Sequence, residues 1–147
     1  MPATPVWTVT IDAPPEKVWP WVGDLGKHAD WSPKPYRVEW VSGEPNALGS
    51  TFRSVGWIPI DKDHAMEGRV SANEPQKVFE VVTSNEKEEW VNRYELAASG
   101  GGTVVTKTMT PLRGVRNVVY TVALAVYVRG AVQKGMNLLK AKVEGSS

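Results

Sequence analysis

The stretch that most constrains the fold is the last third of the chain, Val115 to Val143, which contains no proline. Its apolar positions recur at the spacing of one helix face. They are Leu124, Val128, Ala131, Val132, Met136, Leu138, Leu139 and Val143. A helix over this stretch would be roughly 40 Å long, enough to cross a small domain. We therefore predict one long amphipathic helix at the C-terminal end, with the preceding residues folded around it.

Those preceding residues predict strands, because short alternating segments are bounded by turns rich in glycine, proline and asparagine. The predicted strands are Val6 to Ala13, Tyr36 to Val41, Ser50 to Trp57, His64 to Ala72, Val78 to Ser84, Glu88 to Ala97 and Thr103 to Thr110. Two short helices are predicted between the first two strands, one beginning at Pro14 or Pro15 and one spanning Leu25 to Trp31. Consecutive strands joined by tight turns indicate a curved antiparallel sheet and an α+β fold class.

The composition suits one domain, residues 1–147, with 41% hydrophobic residues to form a core. A net charge of +1 gives no general attraction to nucleic acid, which we exclude as a partner. The longest apolar run, Val118 to Val128, has 11 residues, whereas a bilayer span needs about 20. We expect no membrane span and leave association with a membrane surface open.

Cysteine is absent and only two histidines are present, so we predict no disulfide, no metal site and no cofactor. The N-terminal residues lack the basic start and apolar core of a signal peptide. Both observations suit a cytoplasmic location, which we expect for this chain. The seven tryptophans are many for 147 residues, and bulky aromatic side chains build both cores and pockets for apolar ligands.

Four stretches, together with the long helix, carry a resemblance to a known family. They are Ile11 to Asp24 (IDAPPEKVWPWVGD), Leu25 to Trp31 (LGKHADW), Leu48 to Phe52 (LGSTF), and the pair Tyr94 to Leu96 and Gly101 to Thr106 (GGTVVT). In this order the chain resembles the START/Bet v 1-like (SRPBCC) superfamily of polyketide cyclases and lipid-transfer proteins. The resemblance implies a helix-grip fold, in which a seven-stranded antiparallel sheet curves around the C-terminal helix and leaves a cavity. It does not choose among the binders, transporters and cyclases of that family.

Strand alternation predicts which side chains would line such a cavity. In the sixth strand Trp90, Asn92 and Tyr94 share the face opposite the charged Arg93 and Glu95. The same reasoning, with the inward positions of the helix, gives a full set of ligand-binding candidates. They are Trp31, His64, Met66, Phe79, Val81, Trp90, Asn92, Tyr94, Leu124, Val128 and Ala131. A core filled by these same residues is the alternative, a register shift of one would invert each strand, and the seventh strand fits either alternation.

His28 and Trp31 lie beside the expected cavity mouth. Trp31 either gates a ligand or plugs the gap between helix and sheet, and we predict that His28 is exposed. Gly130 and Gly135 are unusual inside a helix and are interpreted as allowing close packing against the sheet.

The sequence contains no phosphate loop and no HExxH zinc pair. The best acid or base candidate is His64, with Tyr94 as a proton donor; Arg53 or Arg69 could polarise a carbonyl only if the register is shifted. No carboxylate shares the predicted inward face of the fourth strand, so nothing on that face orients the His64 imidazole. A partner from another strand, such as Glu80 or Glu95, is the alternative if the register is shifted by one.

We therefore expect a protein, monomeric or homodimeric, that binds a small hydrophobic or lipid-like ligand. A polyketide cyclase or dehydratase-type enzyme is the alternative. A third hypothesis, a lipid carrier at the membrane surface, would use the apolar start of the long helix.

Overall fold

The computed structural model describes residues 6–58, 61–113 and 118–145, without the side chains of residues 58, 61, 113 and 118–125. Within these ranges the strands are β1 (Val6–Ile11), β2 (Arg37–Ser42), β3 (Thr51–Ile58), β4 (Asp61–Glu74), β5 (Val78–Ser84), β6 (Glu89–Ser99) and β7 (Gly102–Arg113). The helices are α1 (Pro15–Val22), a 3₁₀ helix (Leu25–Trp31) and α2 (Val118–Gly145). This is the predicted α+β helix-grip fold.

The seven strands form one antiparallel sheet in the order β1-β7-β6-β5-β4-β3-β2. The two edge strands, β1 and β2, are consecutive in the chain, and α1 and the 3₁₀ helix connect them across the open side of the sheet. These two short helices and α2 therefore cover the side toward which the sheet curves.

Most predicted boundaries agree with the structure, and β5 agrees at both ends. The predicted loop over Ile58 to Asp63 is too long, because β4 already begins at Asp61, which pairs with Ile58. β7 likewise continues through Pro111, which pairs with Trp90, where a connection to the helix was predicted. The predicted long C-terminal helix is confirmed as α2 from Val118 onward, and residues 115–117 lie outside the described residues.

The C-terminal half of α2 packs into the core and is held to β1. Met136, Leu139 and Val143 are buried, whereas Leu138, predicted on the same face, is exposed. Lys140 Nζ donates to the carbonyl oxygen of Thr10 in β1 at 2.9 Å, and near the middle of the helix the Trp7 indole N–H donates to the carbonyl oxygen of Arg129 at 3.1 Å. With this half of the helix fixed against β1, its preceding turns lie over the concave face of the sheet.

Candidate functional site: a cavity between sheet and helix

A cavity of about 300 Å³ lies between the concave face of the sheet, the 3₁₀ helix and the middle of α2. Its wall is mainly apolar and aromatic, with a small number of polar groups. This composition is typical of small-molecule sites, and the volume lies at the small end of their range. The fold thus leaves room where the alternative of a completely filled core would not.

Nine of the eleven predicted ligand-binding residues line the cavity: Trp31, His64, Met66, Val81, Trp90, Asn92, Tyr94, Val128 and Ala131. Phe79 does not line it, although it does face inward. Its ring is fully buried in the core, 6.0 Å from the His28 ring and 6.5 Å from the Trp19 ring between centroids. The side chain of Leu124 lies outside the described residues.

Three polar side chains fix the start of the 3₁₀ helix. Asp24 caps it by accepting a hydrogen bond from the Gly26 N–H at 3.0 Å. Asn46 accepts one from the Leu25 N–H at 2.7 Å, and the Asn73 amide donates to the Asn46 carbonyl at 2.6 Å. The turn between β2 and β3 is thereby joined to the helix that carries three cavity residues, Leu25, His28 and Trp31.

The prediction that His28 is exposed is wrong, since only 7% of the residue is accessible. Its Nε2 donates to the Val22 carbonyl oxygen at 2.8 Å, and its ring lies 4.7 Å from Trp31 and 5.3 Å from Tyr94 between centroids. Burial lowers the pKa of His28 to about 4, so the imidazole is neutral at pH 7. His28 is a polar residue in a short segment and was therefore predicted to face solvent, but this face of the 3₁₀ helix packs on the sheet.

Trp31 fills the gap between helix and sheet, as one of its two predicted roles requires. It is buried, its indole N–H donates to the Trp21 carbonyl oxygen at 3.2 Å, and its ring meets Tyr94 edge-on at 6.0 Å. It also forms part of the cavity wall. Trp31 therefore closes the gap between helix and sheet while presenting a face to the cavity.

A carboxylate from outside β4 lies against His64. Glu88 is 5% exposed, and its Oε1 lies 3.2 Å from His64 Nε2. Glu88 comes from the turn between β5 and β6, where its N–H is fixed by the Asn85 side chain at 3.0 Å. Glu88 was predicted as the first residue of the sixth strand and was not related to His64, because β5 separates that strand from β4.

β7 supplies a cationic residue that strand alternation could not assign. The structure places Thr103, Val105, Lys107 and Met109 on the inward face, and the last two line the cavity. Lys107 Nζ lies 4.9 Å from the centroid of the Tyr94 ring, on the neighbouring strand. Desolvation lowers the pKa of Lys107 to about 8, and burial raises that of the Tyr94 phenol. Within the described ranges, no carboxylate forms an ion pair with Lys107.

The rim of the cavity is aromatic and basic. Lys34 is exposed and places Nζ 4.6 Å from the centroid of the Trp57 ring. Tyr127 of α2 stacks at a tilt on Trp57, 5.7 Å between centroids. Arg53 and Arg69 are exposed and absent from the wall, so the unshifted register removes them as carbonyl-polarising groups. Among the described side chains, no three of the types that ligate metals gather into a possible metal site.

A curved antiparallel sheet that wraps around a long C-terminal helix and leaves a cavity between them is the helix-grip fold of the START/Bet v 1-like class. The chain belongs to the family described as polyketide cyclase / dehydrase and lipid transport, whose model matches residues 6–144. No curated protein matches the chain. In the part of the chain that the structure describes, no helix has both the length and the apolar character needed to cross a membrane.

Solved structures share this fold at low sequence identity. Protein TTHA0849 from Thermus thermophilus is 17% identical, with a TM-score of 0.75 over 99% of each chain. The Zhui aromatase/cyclase from Streptomyces sp. R1128 is 14% identical, with a TM-score of 0.73 over 97% of this chain and 93% of that one. Ara h 8.0201 is 17% identical, with a TM-score of 0.68 over 96% and 97%. At these identities the likeness concerns the fold alone.

Proposed function

We propose that the protein binds a small apolar ligand in the cavity between the sheet and α2. The observation that carries this proposal is a cavity of about 300 Å³ between the sheet and α2, with a mainly apolar wall and a few polar groups. Such walls bind by burying apolar surface and orient the ligand through their polar points. The small volume favours a compact ring system over a long-chain lipid. A cytoplasmic location, a single domain and a monomeric or homodimeric state remain predictions.

The test uses N-phenyl-1-naphthylamine, a neutral fluorescent probe that brightens in apolar surroundings. Met66 lines the cavity, so Met66→Trp adds an indole to space that the probe needs. We expect at least a tenfold loss of probe affinity. Glu67→Trp is the matched control, because Glu67 is the adjacent residue of β4 and is exposed.

Equal affinities of the Met66→Trp and Glu67→Trp proteins, both folded by circular dichroism, would place the probe elsewhere. Absence of probe binding to the unmutated protein would count directly against the proposed function. Native-host protein extracted with organic solvent and analysed by mass spectrometry would then identify any retained ligand.

A cyclase or dehydratase-type enzyme is the second candidate, favoured by one observation. The pair of His64 and Glu88 places an oriented imidazole at the cavity wall, with Nε2 3.2 Å from Oε1. An imidazole held in this way can take a proton from a carbon next to a carbonyl, and a carboxylate stabilises the resulting imidazolium. His64 would be the catalytic base in such an enzyme, and Glu88 a positioning residue.

A further inference from the structure

The charged groups at the cavity differ in whether a group of opposite charge or solvent lies beside them. Glu88 is matched by His64 at 3.2 Å, and Lys34 is exposed at the rim. Lys107 faces the cavity from the middle of β7, where its nearest described partner is the face of the Tyr94 ring. Within the described ranges, the cavity thus holds a cation without a carboxylate of its own.

Ligand binding changes the environment of this cation. In the empty cavity, water can solvate the ammonium group. A neutral apolar ligand would expel that water and leave the charge desolvated, which costs free energy unless the group loses its proton or gains a partner. A ligand with an anionic group supplies the missing partner at the same moment that it removes the water.

The other wall residues near Lys107 indicate what kind of group the rest of the ligand must be. Tyr94 pairs with Lys107 across the strands, Met109 lies two residues further along β7, and the neutral His28 lies 5.3 Å from Tyr94 between ring centroids. These groups offer apolar and aromatic contact and no second cation. The net charge of +1 provides no general attraction to anions, so any such preference has to be local.

We propose that the ligand is a small apolar acid, whose carboxylate or similar anionic group contacts Lys107 Nζ while its apolar body fills the aromatic part of the cavity. This inference rests on the proposed function and adds a ligand class to it. The interaction is a charge-assisted hydrogen bond at a partly buried site, which makes it stronger than an ion pair exposed on the surface.

The experiment measures displacement of N-phenyl-1-naphthylamine by 2-naphthoate and by 2-naphthamide. The two competitors have nearly the same shape and differ in charge. On the unmutated protein we expect 2-naphthoate to bind at least tenfold more tightly than the amide. In Lys107→Met, which keeps most of the apolar stem, this preference should fall below threefold. Lys142→Met removes an exposed lysine from the last turn of α2 and should keep the preference.

Each outcome separates the two proposals. Failure of the neutral probe to bind would overturn the proposed function. Probe binding with no preference for 2-naphthoate on the unmutated protein would overturn the acid inference alone, and this comparison needs no variant. A preference lost equally in Lys107→Met and Lys142→Met would indicate a general charge effect and would also overturn it. Retention of the preference in Lys107→Arg would support a requirement for positive charge at this position.

Discussion

Glu88 Oε1 lies 3.2 Å from His64 Nε2, although Glu88 precedes β6 and His64 belongs to β4. The carboxylate is almost completely buried, so the contact fixes the orientation of the imidazole at the cavity wall. The two candidate functions assign different consequences to this pair. In a binding protein the pair supplies a polar point, and in an enzyme it supplies a base.

His64→Gln distinguishes these roles by magnitude. Loss of one hydrogen bond costs on the order of 1 kcal/mol, or less than tenfold in affinity. Loss of a general base costs typically 10²- to 10⁴-fold in rate. We expect less than a tenfold change in probe affinity and no turnover of model polyketide thioesters by the unmutated protein, measured by fluorescence titration and liquid chromatography.

Glu88→Gln is the companion variant, because it removes the charge of the partner while leaving His64 in place. Turnover by the unmutated protein that disappears in His64→Gln and decreases in Glu88→Gln, with probe binding retained in both, would make this protein an enzyme.

His28 should make stability depend on pH below neutrality. The folded protein protonates this imidazole near pH 4 and the unfolded chain near 6.5, so the unfolded state binds more protons between these values. The stabilising contribution is therefore complete above pH 6.5 and decreases toward pH 4, by roughly 1.4 kcal/mol per pH unit. Urea unfolding at pH 7 and pH 5 measures this decrease.

His28→Gln should flatten that part of the profile, whereas the matched variant His64→Gln keeps His28 and should keep the decrease. Parallel profiles for His28→Gln and the unmutated protein would show that His28 does not couple folding to protons.

Lys107→Met should stabilise the protein. In the folded state the partly buried amine has a pKa lowered by desolvation to about 8, against its ordinary pKa of 10.5, so below pH 8 the folded state carries a partly desolvated ammonium. At pH 7 we expect the free energy of unfolding to rise by on the order of 2 kcal/mol relative to Lys142→Met. The advantage should shrink as the pH rises from 8 to 10.5.

The groups that face Lys107 do not disturb this test. Tyr94 of β6 has a raised pKa, as does Tyr36, whose charge would couple to that of Tyr94, and His28 of the 3₁₀ helix is already neutral at pH 7. Urea unfolding of the two lysine variants at pH 7 and pH 10 measures the difference. Equal stabilities of Lys107→Met and Lys142→Met at pH 7 would mean that the ammonium group of Lys107 is well solvated in the folded protein.

Gly68→Ala should destabilise the sheet beneath the core. A Cβ atom at Gly68 would run into the ring of Phe52, which is itself fully buried and packed against Trp40 at 5.5 Å. Overpacking of this kind typically costs about 1–3 kcal/mol. Gly56→Ala is the control, because the added Cβ would lie 3.5 Å from Tyr36 Cδ2, an ordinary contact. Equal thermal midpoints for the two variants would contradict this assignment.

The sequence predicted the cavity wall best where one strand face is charged. In β6 the alternation of Arg93 and Glu95 with Tyr94 leaves one choice of inward face, and the structure agrees. Alternation predicts which side of the sheet a side chain faces, but not whether it reaches the cavity or is buried in the core. Phe79 therefore faces inward as predicted and yet lies in the core beside the cavity. Alternation did not identify the inward face of β7, because threonines and Lys107 occur among its apolar residues.

Two other features depend on contacts between elements that are distant in the chain. Glu88 is predicted as the first residue of the sixth strand, and its contact with His64 becomes visible only when β4 and β6 are placed on the two sides of β5. His28 reads as polar surface until the 3₁₀ helix is placed against Tyr94. Periodicity describes one element at a time, so these neighbours become visible only when the whole sheet is assembled.

The position of β1 has a consequence for how the protein assembles. β2 to β7 are joined by successive hairpins. β1, in contrast, pairs with β7, the last strand in the chain, for example Val6 with Thr108. Contacts of such high contact order form slowly, because a long loop has to close before they give any stabilisation. The strand that leaves the ribosome early must therefore wait for β7, and α2 is not anchored through Trp7 until β1 has docked. We expect the cavity to close in the last step of folding.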